Sequence, residues 1–256
     1  MSKVHLVIPD PHAHPNFDNS RADLLGKLIK DLKPDVVINL GDAADLASLS
    51  TYDKGKGSFH GRNYGKDIEV HLDFQDRMWS PIKKSKKKQP LKVILEGNHE
   101  YRIKRAIEFS PELEGERFGV SFKDLAFSEY YNEVVEYNGG TPGIITLDGV
   151  SYAHYFITGV SGRPIGGEHH AYSLLAKNFT SCTCGHSHTV DWAVRTSSSS
   201  KKIMGLVAGV YQDYQSGWAG HINDLWWSGI VIKRGVEDGY YSPQFVSLEQ
   251  LRKEYG

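Results

Sequence analysis

The sequence predicts an α/β fold, and three observations carry that prediction. Short apolar runs alternate with segments whose apolar residues recur at helical spacing, the rhythm of parallel strands joined by crossover helices. Several runs end on acidic, amide or imidazole side chains: Asp10 and His12, Asp42, Asn98 and His99, His154, and His186 with His188. The chain has 256 residues and 39% hydrophobic content, enough for one substantial core.

Residues 4–8 are the first apolar run, a buried strand that ends at Pro9-Asp10 and presents its polar groups at the carboxyl end. After a turn-rich stretch, Leu24, Leu25, Leu28, Ile29 and Leu32 mark one face of a helix, with Ser20 as cap and Pro34 as stop. Residues 36–40 form the next buried strand, ending at Gly41-Asp42. Strand, helix, strand implies a parallel crossover. Open α/β sheets hold ligands beyond the carboxyl ends of their strands, so both segments fall on one rim.

Residues 53–66 are polar and glycine-rich, a rim loop rather than core. A helix over 67–79 and a charge run over 83–88 precede the strand 92–95, which delivers Gly97-Asn98-His99. Another helix starts near Glu100, with Ile103, Ala106 and Ile107 inward. Residues 110–137 keep no steady period and read as irregular helix. Beyond them, 144–147 and 150–154 flank Asp148-Gly149, a pair suited to positive φ in a hairpin turn. A helix near 169–177 leads to the strand 180–184 and on to His186 and His188. Residues 190–196 and 203–208 read as a hairpin, followed by strands near 230–233 and 240–246 and a helix from Leu248.

Taken in chain order, Asp-x-His at 10–12, Gly-Asp-x-x-Asp at 41–45, Gly-Asn-His-Glu at 97–100, His154 and Gly-His-x-His at 185–188 resemble the signature of the calcineurin-like metallophosphoesterases. The resemblance implies a four-layer sandwich of two mixed β-sheets flanked by helices. It implies a single domain over residues 1–256, with rim segments inserted near 51–90 and 110–137. Two divalent cations are expected, Asp10, His12 and His188 on the first, Asn98, His154 and His186 on the second, and Asp42 bridging. His99 is then not a ligand but the general acid for the departing oxygen, oriented by Asp45, a role typically worth ~10²–10⁴ in rate.

Two departures from the pattern matter. Ala13 stands where a glycine usually follows Asp-x-His, and Asp45-Leu46-Ala47 replaces the Asp-Arg-Gly of the family's protein phosphatases. The arginine that grips phosphate in those enzymes is missing there; Arg102 or Arg105, just past His99, is the expected substitute, with His14 a further substrate contact. The competing reading of both arginines is a solvated helix face paired with Glu108 or Glu112.

The implied ligands include two carboxylates, so two divalent cations leave a formal excess of about +2, and about +1 with a bridging hydroxide. Such an excess attracts phosphate. A water shared by two cations drops from a pKa of ~15.7 toward ~7, making this metal-bridging hydroxide the expected nucleophile. Many imidazoles and few carboxylates suit manganese, iron, nickel or zinc over calcium, and family habit puts manganese first. The activity expected is phosphodiester hydrolysis on a nucleotide-type substrate; the alternatives are a nucleotide or protein phosphomonoesterase, or a catalytically silent metal-binding scaffold.

Formal net charge is −1, so no global field draws nucleic acid or an anionic membrane, although a nucleic-acid substrate stays open. Apolar runs fall far short of the ~20 residues of a membrane span. Two cysteines are no disulfide framework, and a cytoplasmic setting is expected. A zinc site from Cys182, Cys184, His186 and His188 would need groups spread over about 20 Å of extended strand, at ~3.3 Å per residue, to meet one ion. Trp218, Trp226 and Trp227, with Tyr211 and Tyr214, read as core or rim packing.

Overall fold

The computed structural model describes residues 2–83, 88–115, 119–158 and 162–256. Three strands of the first half, β1 (Lys3–Ile8), β2 (Val36–Asn39) and β3 (Leu91–Leu95), pair in parallel, connected through the helices α1 (Ser20–Leu32) and α2 (Tyr64–Lys83). After α3 (Tyr101–Phe109) and the single turn α4 (Phe127–Tyr130), the strand β4 (Glu133–Val135) adds in parallel to β3. From the other end of the chain, β10 (Gly229–Glu237) adds antiparallel to β1, and β11 (Tyr240–Ser247) to β10. The first mixed sheet therefore runs β11-β10-β1-β2-β3-β4.

A second mixed sheet lies against it. The hairpin of β5 (Ile145–Leu147) and β6 (Val150–Tyr152) turns at Asp148 and Gly149, both at positive φ. Next come β7 (Ser181–Cys184), parallel to β6, and β9 (Lys202–Ala208), parallel to β7, with β8 (Val190–Thr196) antiparallel on the edge. Between β6 and β7 runs α5 (His170–Asn178), and α6 (Leu248–Tyr255) closes the chain.

Alternation along the strands sorts the apolar side chains into two cores. Leu6, Ile8, Val37, Ile94, Ile230 and Ile232 pack with the leucines of α1, with Phe74 and Met78 of α2 and with Leu251 of α6. Val7, Ile38, Val93, Leu95 and Val231 join Tyr152, Cys184 and Leu206 of the second sheet and Leu174 of α5. Each such fully buried side chain contributes roughly 1.5–3 kcal/mol. The result is the four-layer order expected: helices, sheet, sheet, helix. Among the described residues, no helix is long and apolar enough to cross a membrane.

Three local expectations need correction. Ser20 is the first residue of α1 rather than its cap, and the Asn19 amide that precedes it turns away to donate to Val70 O and Asp73. The helix expected over 67–79 begins at Tyr64, because Asn63 Oδ1 accepts the Lys66 N–H at 3.0 Å and starts it early. The strand β4 sits inside the stretch read as irregular helix; three residues, none fully buried, carry no periodic signal. Of the charge run at 83–88, residues 84–87 lie outside the described residues, as do 116–118 of the stretch 110–137.

Candidate metal centre

Parallel pairing aligns the carboxyl ends of β1, β2 and β3 in one sheet and of β6 and β7 in the other. Each strand then bends sharply. Asp10, His12, Asp42, His186 and His188 all adopt left-handed backbone, with φ of 40°, 45°, 49°, 69° and 61°. Aspartate, asparagine and histidine tolerate that region better than other non-glycine residues. The glycines between them are there for close approach: a Cβ on Gly97 would lie 2.2 Å from Asp42 Oδ1, and one on Gly185 would lie 2.2 Å from Asp10 Oδ1.

These bends bring seven sequence-predicted residues into two adjoining groups. In the first, His12 Nε2 and His188 Nε2 are 3.1 Å apart, and His188 Nε2 is 3.4 Å from Asp10 Oδ2. In the second, His154 Nε2 is 3.0 Å from Asn98 Oδ1, 3.3 Å from His186 Nδ1 and 3.4 Å from Asp42 Oδ2. Asp42 Oδ2 also lies 3.8 Å from His12 Nε2, which places this one carboxylate between the groups. The His154 Nδ1–H donates to Leu40 O at 2.9 Å, so the Nε2 lone pair points inward.

Burial is the largest single influence on every shifted residue of the two groups. Burial pushes Asp10 up to about 7, against the pull of His154. Burial also opposes ionisation of Asp42, yet the charges of His154 and His99 hold it well below the usual carboxylate range. Burial drives His186 down to about 3, and burial with His12 drives His188 well down too. His154 is the exception: burial works against its proton, but Asp42 lifts it to about 9. Asp10 Oδ1 is buried with no hydrogen-bond partner among the described residues. Converging imidazole nitrogens and carboxylate oxygens, with one carboxylate oxygen orphaned, fit divalent cations of the borderline class.

His99 stands beside these groups in a different setting. Its backbone N–H donates to Asp42 Oδ1 at 2.9 Å, and its Nδ1 lies 2.9 Å from Asp45 Oδ1. Arg102 donates from Nη2 to His99 Nε2 at 3.0 Å and from Nη1 to Asp45 O at 2.9 Å. Asp45 also faces His12 Nδ1 at 3.6 Å and His14 Nε2 at 3.5 Å. Against the cost of burial, the hydrogen bonds from His12 and His99 hold Asp45 well below its usual range.

The family model for calcineurin-like phosphoesterases matches residues 5–190, the span that contains both groups and the His99–Asp45 pair. The chain belongs to the calcineurin-like phosphoesterases. Among solved structures it is similar to TT1561 of Thermus thermophilus, at 8% identity and a TM-score of 0.39, with 96% of this chain and 99% of that chain covered. No curated protein sequence matches it. As a member of the family, this phosphoesterase is a metal-dependent phosphoester hydrolase, and its buried aspartates and histidines are able to bind metal.

Several residues of the phosphoesterase site escape a sequence reading. Glu100, fully buried, accepts the backbone N–H groups of Asp42 at 2.9 Å, Ala44 at 3.0 Å and Gly97 at 2.8 Å, tying the β2 bend to the β3 bend. Burial, then the charge of Asp42, lifts its carboxyl to about 7. Its only sequence signal is the fourth place of Gly-Asn-His-Glu. Arg21, also buried, donates to Pro11 O at 2.9 Å, Asp18 O at 2.8 Å and Tyr211 O at 3.1 Å, fixing the β1 bend. Trp226 sets its ring edgewise on His188 with centroids 4.3 Å apart, and Trp218, 74% exposed, packs at the rim against Trp226 at 5.8 Å.

Glu100→Gln tests the tie between the bends. The amide would set an NH₂ against a backbone N–H in a buried place, costing about 1–3 kcal/mol. A Tm drop of roughly 3–8 °C is expected by thermal denaturation; an unchanged Tm would mean that Glu100 does not hold the bends.

The substrate contacts named from sequence are distributed unequally. Arg102 and Arg105 line a cavity of about 220 Å³ together with Asn98, His186, Tyr52 and Tyr155. His14 does not line it; its ring packs against Phe17 and Tyr214, behind Asp45. Neither arginine pairs with Glu108 or Glu112 among the described residues. Cys182 and Cys184 are buried free thiols, and the clustered groups among the described residues include no cysteine.

Proposed function

We propose that this chain hydrolyses phosphodiesters of a nucleotide type at a centre of two divalent cations. The observation that supports this most is the position of Asp42, whose Oδ2 lies within 3.8 Å of His12 in one group and 3.4 Å of His154 in the other. Asp10, His12 and His188 would hold one cation, Asn98, His154 and His186 the second, with Asp42 shared. Bound cations supply Lewis-acid charge for the phosphoryl oxygens and lower the pKa of water from ~15.7 toward ~7. Manganese is our first choice, ahead of iron, nickel and zinc.

The chain's own residues then complete the chemistry. Asp45 Oδ1, 2.9 Å from Nδ1, orients the His99 ring, and we assign His99 as proton donor to the leaving oxygen. Asp45-Leu46-Ala47 stands in place of the phosphatases' Asp-Arg-Gly, and the nearby Arg102 guanidinium is already bonded to His99 and to Asp45 O, which favours the less charged diester. We place the protein in a reducing, cytoplasmic setting, which suits two buried free thiols.

Paired assays with added manganese test the reading. Bis(p-nitrophenyl) phosphate is expected to turn over faster than p-nitrophenyl phosphate, and the reverse order would overturn the diesterase preference. Elemental analysis with anomalous scattering at the rim counts the ions and identifies them.

A further inference from the structure

Arg102 and Arg105 lie three residues apart on α3, on one face of the helix, yet their circumstances differ. Arg102 is committed: its guanidinium already bonds His99 Nε2, Asp45 O and, at 3.4 Å, Leu46 O. Arg105 is half-buried and lines the same cavity, but no ion pair, hydrogen bond or ring contact engages it among the described residues. A guanidinium withdrawn from bulk water and left without an acceptor is an anion receptor waiting for its anion, and its fork geometry matches phosphate.

The rest of the cavity says where that anion belongs. Asn98 and His186, both candidate cation ligands, form part of its wall, so it opens directly beside the place of the scissile phosphate. At about 220 Å³ it is smaller than the roughly 300–1,000 Å³ of sites that enclose a whole small ligand, and takes part of a substrate only. Tyr155 packs on His186 at 4.6 Å between centroids, and Tyr52, 84% exposed, stands at the mouth. An aromatic ring so placed suits the sugar or base that links two phosphates.

Resting on the diesterase reading above, we infer that Arg105 is the cation of a second anion subsite. It takes a phosphate neighbouring the scissile one. The preferred substrate is then a nucleotide or a strand that carries two phosphate groups rather than an isolated ester.

Calorimetric binding to the manganese-loaded protein tests this with defined probes: thymidine 5′-monophosphate, thymidine 5′-diphosphate, thymidine 3′,5′-bisphosphate and 5′-phosphorylated dithymidylate. In the wild type at least one two-phosphate probe is expected to bind about tenfold or more tightly than the monophosphate. The preferred probe separates an anhydride, a free bisphosphate and a strand as the source of the second phosphate. In Arg105→Ala that ratio is expected to fall to about two or less, and in Arg105→Lys to be partly restored. A wild-type ratio near one, or a ratio unchanged in Arg105→Ala, overturns the subsite. Thermal denaturation of each variant checks folding, and Arg105→Lys alone keeps the test decisive if the alanine variant does not fold. Turnover of bis(p-nitrophenyl) phosphate by the wild type is measured in parallel. Turnover with a ratio near one would sink the subsite and spare the diesterase reading; a high ratio without turnover would do the opposite.

Discussion

Replacing Asp42 with asparagine is expected to reduce phosphodiester turnover by on the order of 10³ or more and to lower the bound metal below two ions per chain. The asparagine keeps the shape of the aspartate, so the effect isolates its charge. Asp42 is buried, its Oδ1 takes the backbone N–H of His99 at 2.9 Å, and its Oδ2 sits between His12 and His154. It is one of two carboxylates in the proposed ligand set; without it the two cations would repel each other across a shorter supply of negative charge. Plasma mass spectrometry after dialysis, with steady-state kinetics on the same samples, checks both parts. Two retained ions and activity within tenfold of wild type would remove Asp42 from the bridging role.

His99→Asn is expected to lower kcat by ~10²–10⁴ on a diester with an alkoxide leaving group and by far less on bis(p-nitrophenyl) phosphate. The difference arises because p-nitrophenolate leaves without a proton while a nucleoside alkoxide does not. Asp45 Oδ1 at Nδ1 fixes the ring, and Arg102 donates to Nε2, the nitrogen that would deliver the proton on the proposed reading. On that reading Arg102 would have to release Nε2 before the transfer, with an arriving phosphate as the competitor for it. Comparing the two leaving groups in wild type and variant reads out the acid directly. Equal losses on both would assign His99 to positioning rather than proton transfer.

The fold was legible where strands are short, apolar and end on chemistry. The strands β1, β2 and β3 announce themselves as mostly apolar runs, β7 is fully buried but reads Ser-Cys-Thr-Cys, and the ligand-type residues follow all four at fixed places. The site was illegible where the partner is a backbone atom far along the chain. Glu100 binds amides of residues 42 and 44, and Arg21 binds the carbonyl of residue 211, so neither leaves a pairwise mark in sequence. Arg21 stands beside the apolar face of an amphipathic helix, where it looks like any solvated cation. The cavity walls were equally hidden, since Tyr52 and Tyr155 reach α3 through loop paths that follow no period.

The left-handed bends beneath Asp10, His12, Asp42, His186 and His188 also govern how such a scaffold diverges. A β-branched replacement at any of them adds conformational strain of about 1–3 kcal/mol before a donor is even lost. Aspartate, asparagine and histidine enter that region several-fold more readily. Exchange among these three residue types keeps an oxygen or nitrogen donor on an unchanged backbone and would shift preference between harder and softer ions, whereas glycine enters the region freely but brings no donor. At these five positions the backbone therefore tolerates a change of donor type better than a β-branched side chain.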